Sequence, residues 1–412
     1  MPAAPAHDSG QGAGRPGVSQ YGEVVQYGEV VQYGEVLEFG AGRSSGGRWL
    51  ARTGLACLVL AAVVAVAAGG TGQHPRHAAK TRPRAVRVIA AGHSLLGVTA
   101  GWELFARGPD DLVRIQLAQG KISVTYVPPL QSANPNVAFV IGAHEAVIKS
   151  ADLVPGYVVP DGGQARLLTG PLAGDSALIP GPPRTQAAWV PSGSATSPEL
   201  TLVSLSGHRA GPTIRFRPGG PQAPANAVSD GRGYVLVSTG SFSAYDTGPG
   251  WDRPLPGTVV AVGSASWLVM TCDPLYRHCR YEVVDTAGSD RRILPGSAAG
   301  YPDYFSWPPT GVIAPDDSTA AVAESGRGGR LTVHLINLRS GASRNLKIVM
   351  GTPGNPPLGA DLNDQSMVWS PDSRWLFVAA AGGKLDAVDA RTGKAERLWT
   401  KLPAVSQVAI RA

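Results

Sequence analysis

Cysteine is nearly absent from this chain of 412 residues: Cys57, Cys272 and Cys279 are the only three. With His278, the last two would offer a zinc ion three ligands, two of them adjacent in sequence, and no fourth lies nearby. Stretches with helical period are missing outside one apolar segment, which argues against a helical domain. From Val88 onward local catalytic signatures are missing as well: no G-x-S-x-G elbow, no H-E-x-x-H, no glycine-rich phosphate loop and no EF-hand spacing. The eight histidines are scattered, and His144-Glu145 falls in a hairpin turn, where it reads as a surface pair. No local motif indicates an enzyme class, a metal or a cofactor. The body of the chain also lacks an excess of charge. The formal net charge is +6, yet from Val88 onward 27 basic residues face 25 acidic ones. The surplus belongs largely to the run Arg76, Lys80, Arg82, Arg84 and Arg87, which holds no acid. A nucleic-acid-binding domain is therefore not expected.

Glycine (53) and proline (35) are abundant, and their placement is regular. The segment Gln365–Thr400 shows the rule. A strand Ser366–Trp369 ends in the turn Ser370-Pro371-Asp372-Ser373, where proline pre-sets φ and aspartate can bond its own backbone. A second strand, Trp375–Ala380, runs into Ala381-Gly382-Gly383-Lys384. A third, Leu385–Asp389, closes on Gly393, and a fourth follows at Ala395–Trp399. One such unit cannot bury both of its faces, so it needs stacked copies.

The copies are present. A strand followed by a polar turn that closes on glycine recurs at Gly120, Gly162, Gly207, Gly248, Gly288, Gly341 and Gly393, spaced 40 to 53 residues apart. That is the period of propeller blades. The preceding hairpin turn recurs as APDDS at Ala314–Ser318 and VSDGR at Val228–Arg232. The expected architecture is all-β, a seven-bladed β-propeller of four-stranded antiparallel blades over residues 88–412. The blades fall at Ser94–Val127, Val137–Thr169, Ala177–Arg217, Ala225–Pro256, Val259–Leu294, Thr310–Val349 and Gln365–Thr400. Two strands are left over, Val86–Ala90 and Val405–Ile410, as a ring needs when one terminus completes the blade of the other.

WSPDSRWLFVA…LDAVDARTG resembles the blade signature of WD40-like, TolB/YVTN-type propellers. The resemblance covers about three quarters of the chain and specifies a blade, not an activity. Asp230, Asp316 and Asp372 match that family's turn aspartate, which implies a structural role. The Trp-Asp and Gly-His pairs of true WD40 repeats are missing, so their hydrogen-bond network is not carried over. The anchored arrangement described next is similar to single-pass extracytoplasmic propellers of high-GC Gram-positive bacteria.

Residues 1–48 form a polar tail with the tandem hexads QYGEVV-QYGEVV-QYGEVL at Gln20–Leu37. Such a composition should be disordered. The hexads read as slippage in a repetitive stretch, or as equivalent docking points at Tyr21, Tyr27 and Tyr33. Thr53–Gly70 carries no charge and, within the span 49–70, is expected to cross the membrane once as a signal-anchor helix. The competing reading is a cleaved signal peptide ending near Ala65-Val66-Ala67. Residues 71–87 then form a basic tether beside anionic head groups. Charge flanking the helix leans mildly against an exported C-terminal domain; the cysteines lean for it. Cys272 and Cys279 bracket a hairpin, opposed positions on antiparallel strands suit a disulfide, and a disulfide implies an oxidising compartment. Two unpaired thiols remain the alternative. The expectation is a cell-membrane protein, N-terminus cytoplasmic, propeller outside.

Loops joining second to third strands all leave a propeller on one face. Here they carry Arg107, Asp110 and Asp111 in the first blade, Asp273, Arg277 and His278 in the fifth, Glu324, Arg327 and Arg330 in the sixth, and Lys384 in the seventh. A mixed, net basic face of this kind would receive a protein or an anionic envelope polymer. The leading expectation is a monomeric, non-catalytic binding or scaffold module. The alternative is an extracytoplasmic enzyme, lactonase-like or hydrolytic, with its site in the central channel.

Overall fold

A computed structural model describes residues 86–90, 92–130, 137–150, 155–173, 178–181, 186–194, 197–215, 227–230, 235–239, 243–246, 253–255, 257–273, 278–287, 290–299, 309–325, 330–350, 365–398 and 401–412. The tail, apolar segment and most of the tether lie outside the described residues. One compact unit runs from Thr81 to Ala412. The described residues form strands, with two short 3-10 turns at Leu117–Gln119 and Gly170–Ala173. None of their helices is long and apolar enough to cross a membrane.

The strands pair in chain order as antiparallel meanders. Val137–Ile141, Glu145–Ser150, Tyr157–Pro160 and Arg166–Leu167 make one sheet, and Ile179–Pro180, Ala187–Ser194, Ser197–Ser204 and Arg209–Arg215 the next. A third holds Ala227–Ser229, Val235–Thr239, Ser243–Asp246 and Arg253–Leu255. Three more follow: Thr258–Val262 to Arg291–Ala299, Thr310–Ile313 to Ser343–Met350, and Met367–Trp369 to Ala395–Arg397. The first and second of these are joined where Thr258–Val262 runs parallel to Thr310–Ile313, and the second and third at Met350 and Ala380. Parallel leading strands are what successive copies of one meander present to each other.

Ring closure differs in one respect from the sequence expectation. Gln407–Arg411 pairs with Glu103–Arg107, so the C-terminal strand is the innermost strand of the first sheet. The other surplus strand, Arg87–Ala90, joins the same sheet at its opposite edge, against Lys121–Tyr126. That sheet therefore has five strands. Only one strand is needed inside to close the circuit, and the second covers an outer edge.

Every hydrophobic cluster draws on two consecutive sheets. Leu104, Val113 and Ile115 of the first sheet pack with Phe377, Leu385 and Ala387 of the last. Phe105 and Leu112, on the other face, pack with Phe139 and Ile148 of the second. Leu236 packs with Val259 and Trp267, and Leu268 and Met270 with Val322 and Ile336. The sheets thus follow one another round a closed circuit, each burying both faces. This is a β-propeller. Trp375–Ala380 illustrates the energetics: all six residues are buried, as a central strand between two neighbours must be, and each large apolar side chain contributes about 1.5–3 kcal/mol.

The glycine beat has a stereochemical cause. Asp389 Oδ1 accepts from the N–H groups of Arg391 and Thr392, and Gly393 N–H donates to the Asp389 carbonyl. Asn337 does the same for Arg339, Ser340 and Gly341. Both turns close in the left-handed region, at φ 71° and 73°, which glycine enters without cost. Gly120, Gly162 and Gly207 share that conformation, while Gly248 and Gly288 lie outside the described residues. The turn aspartates are structural: Asp316 caps Ser318, and Asp372 caps Arg374 and accepts from the Ser370 hydroxyl. Asp230 is fully buried, and its carbonyl accepts from the Trp267 indole.

Candidate functional site

The innermost strands were one candidate location for chemistry. Among the described residues of these strands, Arg411 is the sole ionisable group. Its guanidinium bridges Glu103 of its own sheet and Asp161 of the next, donates to the Gly142 carbonyl at 3.2 Å, and lies 4.9 Å from the centre of the Phe105 ring. Arg114 and Gln116 complete the network on Glu103, at 2.6 and 2.7 Å. Burial alone would raise the Glu103 carboxyl; the bonds from Arg114, Gln116 and Arg411 outweigh it and hold the group below its usual range. The network is a lock on the C-terminal strand.

Two glutamines bridge the inner edges. Gln365 accepts from Phe139 N–H at 3.1 Å and donates to the Phe139 carbonyl at 2.6 Å. Gln407 donates to the Val137 carbonyl at 2.7 Å. Each primary amide thus fills backbone positions that an additional strand would occupy. Arg107, placed by the sequence on a ligand face, donates instead to Gln407 Oε1 at 2.7 Å, and burial lowers its guanidinium to about 10. It supports the closing strand and is not a free surface cation.

The remaining face residues divide. Asp110 and Asp111 are half-buried beside Arg107. Lys384 is exposed, next to the Gly383 turn that receives Val405 N–H. His278 and Arg330 are exposed, and Arg277 and Arg327 lie outside the described residues. The structure does not gather all of these at one point; of the described residues beneath the loops of the fifth and sixth blades, Tyr281 and Glu324 meet across one junction.

That junction is the strongest candidate site. Cys272 and Cys279 are opposite each other in register and bonded, with Cα atoms 4.0 Å apart. Two residues on, the Tyr281 hydroxyl crosses to the sixth blade and donates to Glu324 Oε1 at 2.6 Å. Burial, then the Glu324 charge, pushes the Tyr281 phenol well above its usual value, so it stays a donor. Glu324 stands opposite Thr332 in register, and His334 opposite Asn345. The imidazole Nε2 is 3.9 Å from Glu324 Oε2, 3.2 Å from Thr332 Oγ1 and 3.0 Å from Asn345 Nδ2. Lys347 N–H donates to Asn345 Oδ1 at 2.6 Å, which turns the NH₂ toward the ring. An amide NH₂ only donates, so Nε2 accepts from it, which puts the ring hydrogen on Nδ1. The peptide is held there by a bulge between Thr332 and His334, with Lys347 at φ 58°, an uncommon conformation for a long side chain.

Of these residues, sequence reasoning named Glu324 and the cysteines and missed Tyr281, Thr332, His334 and Asn345. Each is one residue on a strand, and the partner of Tyr281 lies 43 positions away. No group of histidine, cysteine or acidic residues able to hold a metal ion occurs among the described residues.

No family model matches the chain, and neither does any curated protein. Solved structures do. AztD from Citrobacter koseri is 14% identical, with 72% of this chain and 81% of that one covered and a TM-score of 0.43. TolB from Acinetobacter baumannii is 13% identical over 75% and 82%, with a TM-score of 0.37. A candidate 6-phosphogluconolactonase from Bacteroides uniformis is 15% identical over 76% and 100%, at 0.41. Likeness of this degree says nothing of ligand or activity, and the propeller assignment stands on the strand order.

Proposed function

We propose that this chain is a membrane-anchored binding module: a seven-bladed propeller outside the cell, held by one helix at residues 49–70 and a basic tether, with the tail in the cytoplasm. The partner is a protein or an anionic polymer of the envelope, received on the face of the second-to-third-strand loops. The observation that carries the reading is the junction of the fifth and sixth blades. There a polar cluster joins an apolar interface built from Leu268, Met270, Val322 and Ile336, and in the sequence the second-to-third-strand loops of these two blades carry Arg277, His278, Arg327 and Arg330. The disulfide at the same junction supports an oxidising compartment.

An enzyme with its site in the central channel draws no support from Gln365, Gln407 and Arg411 at the inner edges, which are engaged in holding blades together. Two experiments test the binding reading. Protease added to intact cells should remove the C-terminal domain; complete protection would place it inside and end the envelope assignment. Replacing Arg277, Arg327 and Arg330 together by serine should abolish co-purification of the envelope partner. Unchanged recovery of that partner would retire the face.

A further inference from the structure

We infer that a second site lies on the opposite face: an arc of cations along the third-to-fourth-strand turns of the fifth, sixth and seventh blades, which holds a linear polyanion. The inference goes beyond the binding reading above and uses none of its loops.

The arc starts from a repeated position. Arg292 and Arg344 stand opposite Val283 and Leu335 at the head of the fourth strand, and each third strand ends two residues later, at Asp285 and Asn337. Each of these arginines leans on the turn of the next blade. The Arg292 guanidinium donates to the Leu338 and Arg339 carbonyls, at 2.6 and 3.0 Å. Arg344 lies against Gly393, where an added Cβ would meet its Nη1 at 2.5 Å. The turn that Arg292 touches carries Arg339, and the turn that Arg344 touches carries Arg391 and Lys394. All five side chains belong to exposed residues, so two blade-to-blade contacts join them into one run. In the seventh blade the repeated position holds Glu396, opposite Ala387, and the arc ends there.

The charge of this run is fixed, because guanidinium groups stay protonated in proteins. Among the described residues Arg292, Arg339, Arg344 and Arg391 form no ion pair, and Lys394 is paired with Glu396 at 3.1 Å. Asp285 and Asp389 are half-buried and accept from the backbone of their own turns, which leaves Asp290 as the other exposed acid there. An isolated anion gains little from an exposed arginine, whereas linked anions engage several at once. The occupant is a chain rather than a sheet. Just inside the arc lie the first-to-second-strand turns, tied to it by Leu338 N–H to the Ser318 carbonyl and Ala390 N–H to the Arg374 carbonyl. Those turns expose Asp316 and Asp372. A planar anionic surface laid on this face meets both carboxylates, and a narrow polymer along the outer turns avoids them.

The test titrates the full chain, in nonionic detergent, with inorganic polyphosphate and reads binding by calorimetry. Chains of about 60 phosphates should bind at least tenfold more tightly than tripolyphosphate, and orthophosphate should not bind. Arg339→Ser, Arg344→Ser and Arg391→Ser combined should weaken the long chain at least tenfold, lower the salt slope by about 2 to 3, and leave Tm unchanged. The control removes equal charge elsewhere: Arg166→Ser, Arg209→Ser and Arg215→Ser, at exposed positions of the second and third blades, should keep binding within about twofold. Glu396→Gln frees Lys394 and should tighten binding about twofold, a gain that misfolding cannot mimic. Asp316→Asn with Asp372→Asn keeps the turn caps and should change nothing. Equal weakening by the control triple would show a response to net charge alone and overturn the inference. A tenfold gain on losing Asp316 and Asp372 would spread the ligand over the whole face and overturn the linear path. Unchanged binding after the rim substitutions, binding that ignores chain length, or no binding at all would also overturn it.

Discussion

Replacing Arg411 by alanine probes the closure of the ring. The side chain is 14% exposed and serves Glu103, Asp161, the Gly142 carbonyl and the Phe105 ring. Breaking a fully buried ion pair from one side costs about 3–5 kcal/mol. Here both carboxylates keep a partner, since Arg114 reaches Glu103 at 2.6 Å and Asp161 at 3.3 Å. The expected loss is therefore smaller, about 2–3 kcal/mol including the ring contact. For a domain of this size that is a fall in Tm of about 3–4 °C. Acid dependence gives a second readout. The Glu103 carboxyl is depressed in the folded state, so its contribution is present above the unfolded value near 4.5 and lost as pH falls through the lower folded value. Without Arg411 the depression shrinks, and less stability should be lost between pH 5 and 3 than in the parent. Arg411→Lys keeps the charge without the two-pronged fork and should fall between the two. Differential scanning calorimetry at pH 7, 5 and 3 decides it. A Tm within 1 °C of the parent, with the same acid slope, would mean that the C-terminal strand is not pinned as described.

Other perturbations have distinct outcomes. Converting Cys272 and Cys279 together to serine opens a loop of eight residues, for a loss of about 2.5 kcal/mol in the chain-entropy account, and reductant should no longer shift urea unfolding of the variant. Gln365→Ala removes both bonds to the Phe139 backbone and should cost about 1–2 kcal/mol, seen as faster amide exchange at Phe139. Glu282 is 1% exposed; burial would raise its carboxyl, but Arg291, Thr271 and Arg280 outweigh that and lower it. Its share of stability is likewise present above the usual carboxylate value and lost on acidification. Glu282→Gln should cost about 1.5–3 kcal/mol at neutral pH and little at pH 3, read by urea denaturation at both.

Much of the scaffold was legible because its rules are local. The Ser370–Ser373 and Ala314–Ser318 turns carry their own caps, and glycines at 341 and 393 close Asx turns whose every partner lies within four residues. The strand Trp375–Ala380 was read to the residue. Contacts across blades were not legible, because they join positions with no fixed spacing. Gln365 meets Phe139 across 226 positions, and Arg107 turns inward to Gln407 across 300. Nothing local distinguishes Arg107 from a solvated loop cation until the C-terminal strand is laid beside it. The cluster of Tyr281, Glu324 and His334 was half visible for the same reason: the loops could be ordered on one face, but the strand residues beneath them become neighbours only when the fifth and sixth sheets stack.

Hydrogen exchange on the intact chain tests the closed circuit most directly, by comparing the amides of Gln407–Arg411 with those of Trp375–Ala380. A C-terminal strand sealed into the first sheet exchanges as slowly as the buried central strand. Rapid exchange at Val408–Ile410 beside a protected Trp375–Ala380 would show an open ring and contradict the architecture on which the binding face depends.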